Sequence, residues 1–315
     1  MLGAIDIGGT KTGIGIVDAE CKILSYHQRT TDTSELSTWL RICTEQLEDC
    51  AREINCRMED LEGVGINLPG MVDTNRGLLL ACSYPGWTQK PVVRVMKELT
   101  GIEKIYVEND VNSCAIGEMY FGLQEKYKDF LWMTVSTGIG GAMVSNRQLI
   151  RGAWGCAGEI GHVKVEYNDP KLCACGGKGC LEAHASGTAI TNEVLLRAKL
   201  DSEFNALFEG IHEPINAKSC AMLAREGNQT ANEIYQRAAV YLGRGIGYGI
   251  SLFNPQAVII GGGVGMSLDL MTEEIEAVLA NTVNKSLLPV DIVPTKMGYM
   301  GALLGAAALV LYNQK

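Results

Sequence analysis

Apolar residues alternate with small and polar ones from the start of the chain. Residues 2–7, 12–17 and 22–31 carry this period-two pattern and are expected as strands, separated by the turn formers Gly8-Gly9 and Asp18-Ala19. The period then lengthens. Leu36, Leu40, Cys43, Leu47 and Ala51 recur at helical spacing behind Ser34, which is read as the N-cap. Residues 64–68 return to strand and stop at Pro69-Gly70, and Pro91 is read as the first residue of a short helix ending near Gly101. Residues 104–108 form a strand that delivers the chain to Asn109-Asp110, with a helix over 111–121.

The opening pattern returns at Asp129. Residues 130–136 are an apolar strand, Thr137-Gly138-Ile139-Gly140-Gly141 is a glycine turn, and residues 142–145 and 148–153 are further strands. Beside Ile5-Asp6-Ile7-Gly8-Gly9-Thr10, this is one strand–turn–strand device used twice, roughly 130 residues apart. After a cysteine-rich loop the pattern is mainly helical: 188–200, 217–225, and 230–252 before Pro255. Residues 256–260 read as a buried strand entering Gly261-Gly262-Gly263, and 301–311 as a helix with small residues on one side. The repeat predicts two α/β lobes that pack without a low-complexity linker. We expect a smaller lobe over 1–118 plus 300–315, closed by the C-terminal helix, and a larger one over 119–299.

Composition narrows the class. A chain of 315 residues exceeds the ~250–300 that one core usually serves. Its 47% hydrophobic and 20% charged residues are those of a globular protein. The net charge of −9 argues against non-specific nucleic-acid binding, which needs cations to displace phosphate counterions. No leader-like start is present, and the longest apolar run, 306–311, falls far short of the ~20 residues of a membrane span, so a cytoplasmic protein with no membrane partner is expected. Cysteine is odd in number at 11, and Cys21, Cys43, Cys50, Cys56, Cys82 and Cys114 lie singly, as core thiols do in a reducing compartment.

Chemistry concentrates in a few segments. In Asp6-Ile7-Gly8-Gly9-Thr10-Lys11 the glycines leave backbone N–H groups unobstructed and the threonine adds a hydroxyl, which suits phosphate oxygens. Alone the segment reads equally as a hairpin turn; the second copy at Ser136 to Gly141 tips it toward a polyphosphate site. Gly261 to Gly265 is either a nucleotide-bordering turn or strand-to-helix packing. In Glu108-Asn109-Asp110-Val111-Asn112, Asp110 is expected to cap a helix, a role compatible with service as a general base, while Asn109 offers amide bonds to substrate hydroxyls. Gly158-Glu159-Ile160-Gly161-His162, followed by Cys173, Cys175 and Cys180, fits a closed Cys₃His zinc site. Glu159 and Glu182 flank that loop, and His162 can place one ring nitrogen on the metal and offer the other to a substrate hydroxyl.

Together these segments, with the terminal Gly301-Ala302-Leu303-Leu304-Gly305-Ala306-Ala307, resemble the ROK family of sugar kinases and regulators over essentially the whole chain. The resemblance implies an α/β, two-lobed, actin-like (duplicated ribonuclease H-like) ATPase fold with a zinc loop in the second lobe. It implies ATP-dependent phosphorylation of a hexose at its 6-hydroxyl, glucose by default, with N-acetylmannosamine or another N-acylhexosamine as the alternative and polyphosphate as an alternative donor. Asp110 matches the base; Gly70, Asn109, Asp110, Glu159, His162 and Glu182 match the sugar site. Asp6, Gly8, Gly9, Thr10, Lys11, Thr137, Gly138, Gly262 and Gly263 match nucleotide-binding positions, served by Mg²⁺, and His162, Cys173, Cys175 and Cys180 match structural zinc ligands. Relatives commonly form homodimers or homotetramers. The family's sugar-sensing repressors carry a helix-turn-helix ahead of the first strand; here strand one begins at Leu2, which argues against a repressor. Three positions depart from the family pattern: Ala142, His184 where an aromatic is common, and Cys156, expected to be a buried thiol.

Overall fold

The computed structural model describes every residue except Gln124, Glu125, His212 and Lys315. The chain forms two compact units. Unit 1 comprises Met1–Tyr127, Leu149–Ala157 and Tyr299–Lys315; unit 2 comprises Lys128–Gln148 and Gly158–Gly298.

In unit 1, β1 (Leu2–Ile7), β2 (Lys11–Val17), β3 (Ile23–Thr30), β4 (Gly63–Leu68) and β7 (Ile105–Asn109) make a sheet of order β3-β2-β1-β4-β7. The β1–β2 hairpin and β2–β3 are antiparallel, whereas β1, β4 and β7 run parallel. Central strands buried on both faces explain why β1, β2 and β4 are almost wholly buried rather than alternating with solvent. One face of β1 meets α1 (Leu36–Glu53): a Cβ on Gly3 would lie 3.4 Å from Leu47 Cδ2. The other meets α10 (Gly301–Tyr312), and small residues set the spacing there. A Cβ on Gly65 would fall 1.8 Å from the Ala306 carbonyl oxygen, and one on Gly305 only 2.6 Å from the carbonyl of Ser113 in α3 (Asp110–Tyr120). The predicted small-residue face of the last helix therefore packs backbone on backbone. The short pair β5 (Met71–Asp73) and β6 (Leu78–Ala81) follows Gly70, and α2 (Val92–Thr100) ends at Gly101 in the left-handed conformation.

Unit 2 repeats the plan. β8 (Phe130–Val135), β9 (Ile139–Ser145), β11 (Ala257–Gly261) and β12 (Asp291–Pro294) form, with the edge strand β10 (Gln148–Ile150), of which Leu149 and Ile150 count with unit 1, a sheet of order β10-β9-β8-β11-β12. Again an antiparallel hairpin, β8–β9, leads, and β8, β11 and β12 are parallel. The helices are α4 (Leu181–Ala185), α5 (Gly187–Leu200), α6 (Ser202–Ala206), α7 (Ala217–Arg225), α8 (Gln229–Phe253) and α9 (Thr272–Thr282). The unit's core centres on α8, where Tyr235, Leu242, Ile246 and Ile250 are buried with Leu131 and Met133 of β8.

Several local expectations need correction. The cap of α1 is Glu35, not Ser34: its carboxylate accepts from the Thr38 N–H at 2.6 Å. Pro91 is the N-cap of α2 rather than its first residue. β5, β6, β12, α4, α6 and α9 do not follow from the period-based reading, and β10 ends at Ile150 rather than Ala153. Among the described residues, no helix is long and apolar enough to cross a membrane.

Candidate functional site

Unit 1 supplies a carboxylate at each of two strand ends. Asp6, near the end of β1, pairs across to Asn67 of β4. Asn67 Nδ2 donates to Asp6 Oδ1 at 3.2 Å and to the Ala302 carbonyl at 2.6 Å, leaving the buried Asn67 Oδ1 with no hydrogen-bond partner among the described residues. Desolvation by the packed surroundings pushes Asp6 up to about 6; the Asn67 hydrogen bond opposes this and the charge of Asp110 adds to it. The turn beyond is tied by Gly8 N–H to the Lys11 carbonyl at 3.0 Å, while Gly9, Thr10 and Lys11 are exposed. Tyr84 stands over this turn: a Cβ on Gly9 would nearly coincide with its hydroxyl, 1.9 Å away.

The second station is the junction of β7 and α3. Asn109, not Asp110, is the N-cap: its Oδ1 accepts from the N–H groups of Val111 at 3.0 Å and Asn112 at 3.2 Å. Its Nδ2 donates to the Gly70 carbonyl and to Asp110 Oδ1, both at 3.0 Å. Asp110 is thus the first helical residue, in a turn whose partial positive charge favours the carboxylate. Gly70, Asn109 and Asp110 are brought together, with Gly70 at φ 95°, a backbone state that suits glycine. The neighbouring Glu108 is buried and holds Arg151, a residue that the motif reading does not single out.

In unit 2 the second glycine turn is anchored from three sides. Ser136 N–H bonds the Gly138 carbonyl at 2.9 Å, Gly187 N–H the Ser136 carbonyl at 2.7 Å, and Thr188 Oγ1 the Thr137 carbonyl at 2.8 Å. Ile139 N–H donates to Glu182 Oε2 at 3.0 Å, so Glu182 touches the turn directly. Thr137, Gly138, Glu182, Ser186 and Thr188 line a cavity of about 280 Å³ at the start of α5. Helix starts and exposed turn N–H groups suit an anion. At the third turn Gly262 has φ 86°, and nothing stands within 4 Å of a Cβ placed on Gly263.

Glu159 and His162 are fixed by close backbone approach. A Cβ on Gly158 would lie 2.2 Å from the Gly141 carbonyl oxygen, and one on Gly161 would lie 2.1 Å from that of Ile139. Only glycine at both positions lets residues 158–162 lie flat on β9. Ala142 is a buried strand residue opposite Trp132, beyond the turn itself. His162 then points two ways: Nδ1 is 3.7 Å from Cys173 Sγ, and Nε2 is 3.8 Å from the exposed Glu159 carboxylate.

Ligand atoms of His162, Cys173, Cys175 and Cys180 all lie within 4.8 Å of one another. Zn–S bonds of about 2.3 Å in a tetrahedron place sulfurs about 3.8 Å apart. Cys175 and Cys180 Sγ are 3.7 Å apart, so the donor set fits zinc in spacing as well as in chemistry. The loop that presents it closes through Cys173 N–H to the Gly177 carbonyl at 2.8 Å and Leu181 N–H to the Val163 carbonyl at 3.0 Å. Lys164 Nζ, 2.8 Å from Cys180 Sγ, adds a cation beside the sulfur cluster that the motif alone does not disclose.

The other two departures, His184 and Cys156, are also placed by the structure. His184 is buried and packs against Tyr241, ring centroids 4.5 Å apart at a 40° tilt, so it packs where an aromatic would. Its Nε2 accepts from Lys171 N–H, and burial, then the Lys171 charge, hold its pKa down. Cys156 is partly exposed rather than buried, and its thiol lies 3.4 Å from the Trp154 carbonyl.

The model of the ROK family matches residues 2–313. Streptomyces coelicolor glucokinase is 32% identical over 314 residues, covering 97% of this chain and 96% of that protein. A putative xylose repressor of Caldicellulosiruptor is 30% identical over 233 residues, 74% of this chain and 58% of the repressor. The crystal structure of a ROK family glucokinase from Streptomyces griseus, in complex with glucose and AMPPNP, superposes with a TM-score of 0.80 at 31% identity, covering 98% of both chains. The two mixed five-stranded sheets with their helices are the actin-like arrangement of that fold.

Proposed function

The chain belongs to the ROK family, and from that premise we propose that it is an ATP-dependent hexose kinase that phosphorylates the 6-hydroxyl, with glucose as its sugar. The observation that carries this reading is the Asn109-Asp110 station: a carboxylate on the first turn of α3, beside an amide bound to the Gly70 carbonyl at 3.0 Å. A sugar needs several hydroxyl partners and one base, and this junction offers both. The family names of the Streptomyces relatives, one solved with glucose and AMPPNP, favour glucose and ATP.

The steps follow from ordinary phosphoryl-transfer chemistry. Asp110 accepts the proton of the 6-hydroxyl as that oxygen attacks the γ-phosphorus; the bond to the β-phosphate oxygen breaks and ADP leaves. In unit 1, Asn109 and the Gly70 backbone orient hydroxyls next to the base; in unit 2, Glu159, His162 through Nε2, and the second oxygen of Glu182 offer further hydroxyl partners. The turns at Gly8 to Lys11 and at Thr137-Gly138 receive the phosphates, and Gly262-Gly263 borders the nucleoside. Asp6 beside the unpartnered Asn67 Oδ1 fits a hard cation. Mg²⁺ held there, directly or through water, would neutralise phosphate charge. Zinc on His162, Cys173, Cys175 and Cys180 would be structural, holding Glu159, His162 and Glu182 in register.

A coupled assay with ATP or polyphosphate across glucose, mannose, fructose, N-acetylglucosamine and N-acetylmannosamine tests the substrate. Glucose with ATP should give the highest kcat/KM; a preference for N-acetylmannosamine would replace glucose by the N-acylhexosamine reading. Asp110→Asn should keep sugar binding and lose about 10²–10⁴-fold in kcat. An undiminished rate would sink the base assignment. Turnover of no sugar, alongside sugar binding, would favour a sensor instead.

A further inference from the structure

Glu108, the penultimate residue of β7, is 2% exposed, an unusual place for a carboxylate unless its oxygens are all engaged. They are. Oε1 accepts from the Asn109 backbone N–H at 3.0 Å and from Asn112 Nδ2 at 3.1 Å. Oε2 receives two bonds from Arg151, Nε at 2.9 Å and Nη2 at 2.8 Å. The guanidinium in turn lies over the Tyr312 ring, 5.6 Å from its centroid, and Tyr312 Oη accepts from the Leu149 N–H at 3.1 Å. All of these residues belong to unit 1.

Well-packed apolar residues often fill such buried pair positions at no greater cost, so the pair invites a reason beyond stability. Its bonds supply one. They grip the residue before Asp110 and the residue two after it, the two ends of the first turn of α3, and they do so through a rigid fork backed by an aromatic ring. We infer that Glu108 and Arg151 are positioning residues for the base Asp110: they fix the first turn of α3 so that its carboxylate meets the substrate hydroxyl, without touching substrate themselves. This rests on the reading of Asp110 as the base. Misplacement of a reacting group by about 1 Å is enough for a ~10²-fold loss in rate, whereas sugar affinity, spread over several other residues, depends on it less. The signature is therefore a fall in kcat at nearly constant sugar Kd.

Three variants separate this from a purely structural pair. Arg151→Lys keeps the charge and loses the fork. Glu108→Leu combined with Arg151→Met removes both charges, so no bare carboxylate is left buried. Arg151→Met alone leaves that carboxylate unpaired. Steady-state kinetics, sugar binding by calorimetry and thermal melts are read on each. The expected result is a ~10-fold lower kcat for Arg151→Lys and ~10²-fold for the double variant, with sugar Kd within threefold of the parent in every folded variant. A kcat within twofold of the parent in Arg151→Lys or in the folded double variant overturns the inference, as does a parallel loss of kcat and sugar binding. Should Arg151→Met or the double variant fail to fold, Arg151→Lys decides by the same criterion. Asp110→Asn measured alongside tells the two readings apart. If it is inactive while the pair variants are fully active, only the positioning role falls; if it is fully active, the base reading falls first.

Discussion

His162 turns Nδ1 toward Cys173 and Nε2 toward Glu159, so one imidazole joins the zinc loop to the proposed sugar contacts. Disturbing the thiol cluster should therefore be felt by the sugar. Cys175→Ser, or dialysis against a strong chelator, is expected to lower zinc content and raise the sugar Kd together, about tenfold or more; metal analysis of the purified protein that finds no zinc disproves the site. Asp6 gives a second expectation at this scale. Its folded-state pKa of about 6 exceeds that of an unfolded aspartate near 3.8, so the native state binds the proton more tightly. Ionised Asp6 then destabilises the fold as pH rises from about 4 to 6, by up to about 3 kcal/mol. Asp6→Asn should be the more stable protein at pH 7, with the gap closing below pH 4; melting curves across that range check it. The residue types of these sites were readable, because thiols in a glycine loop and a carboxylate at a strand end are rare in local sequence. Arg151, Asn67 and Lys164 were not, since each reaches its partner only through the tertiary fold: Arg151 is 43 positions from Glu108.

Among the elements, α10 is the most constrained by its neighbours. Gly305 lies against the Ser113 carbonyl, and Gly65 of β4 lies against Ala306. Gly305→Val must push α10 off α3, and overpacking of this kind costs about 1–3 kcal/mol or more. Calorimetry should show a clear fall in melting temperature, with zinc content unchanged because the metal cluster lies in unit 2. Long periodic elements such as α1 and α8 were legible within a residue or two of their ends. What escaped is short or only partly buried. β5 and β6 have three and four residues, and β12, an edge strand ending at Pro294, has no fully buried position. α9 carries only Ile275 and Leu279 as buried residues, too few to set a period. The cap of α1 moved from Ser34 to Glu35 because the longer acid reaches the Thr38 N–H, a choice that local preference ranks the other way.

For the whole molecule, the duplicated hairpin announced two sheets of matching plan, β3-β2-β1-β4-β7 and β10-β9-β8-β11-β12, and the comparisons place that plan in the ROK family. The sequence could not disclose how the chain is shared out. It passes between the units four times, near residues 127, 148, 157 and 298. Unit 1 accordingly has its sheet at the start of the chain and its covering helix α10 at the far end. During translation the first sheet emerges early, yet the face that Gly15, Gly63 and Gly65 clear for α10 stays bare until every other element of both units has been made. The amino-terminal unit is thus the last to be completed: its sheet is covered only after the chain has been made through α10.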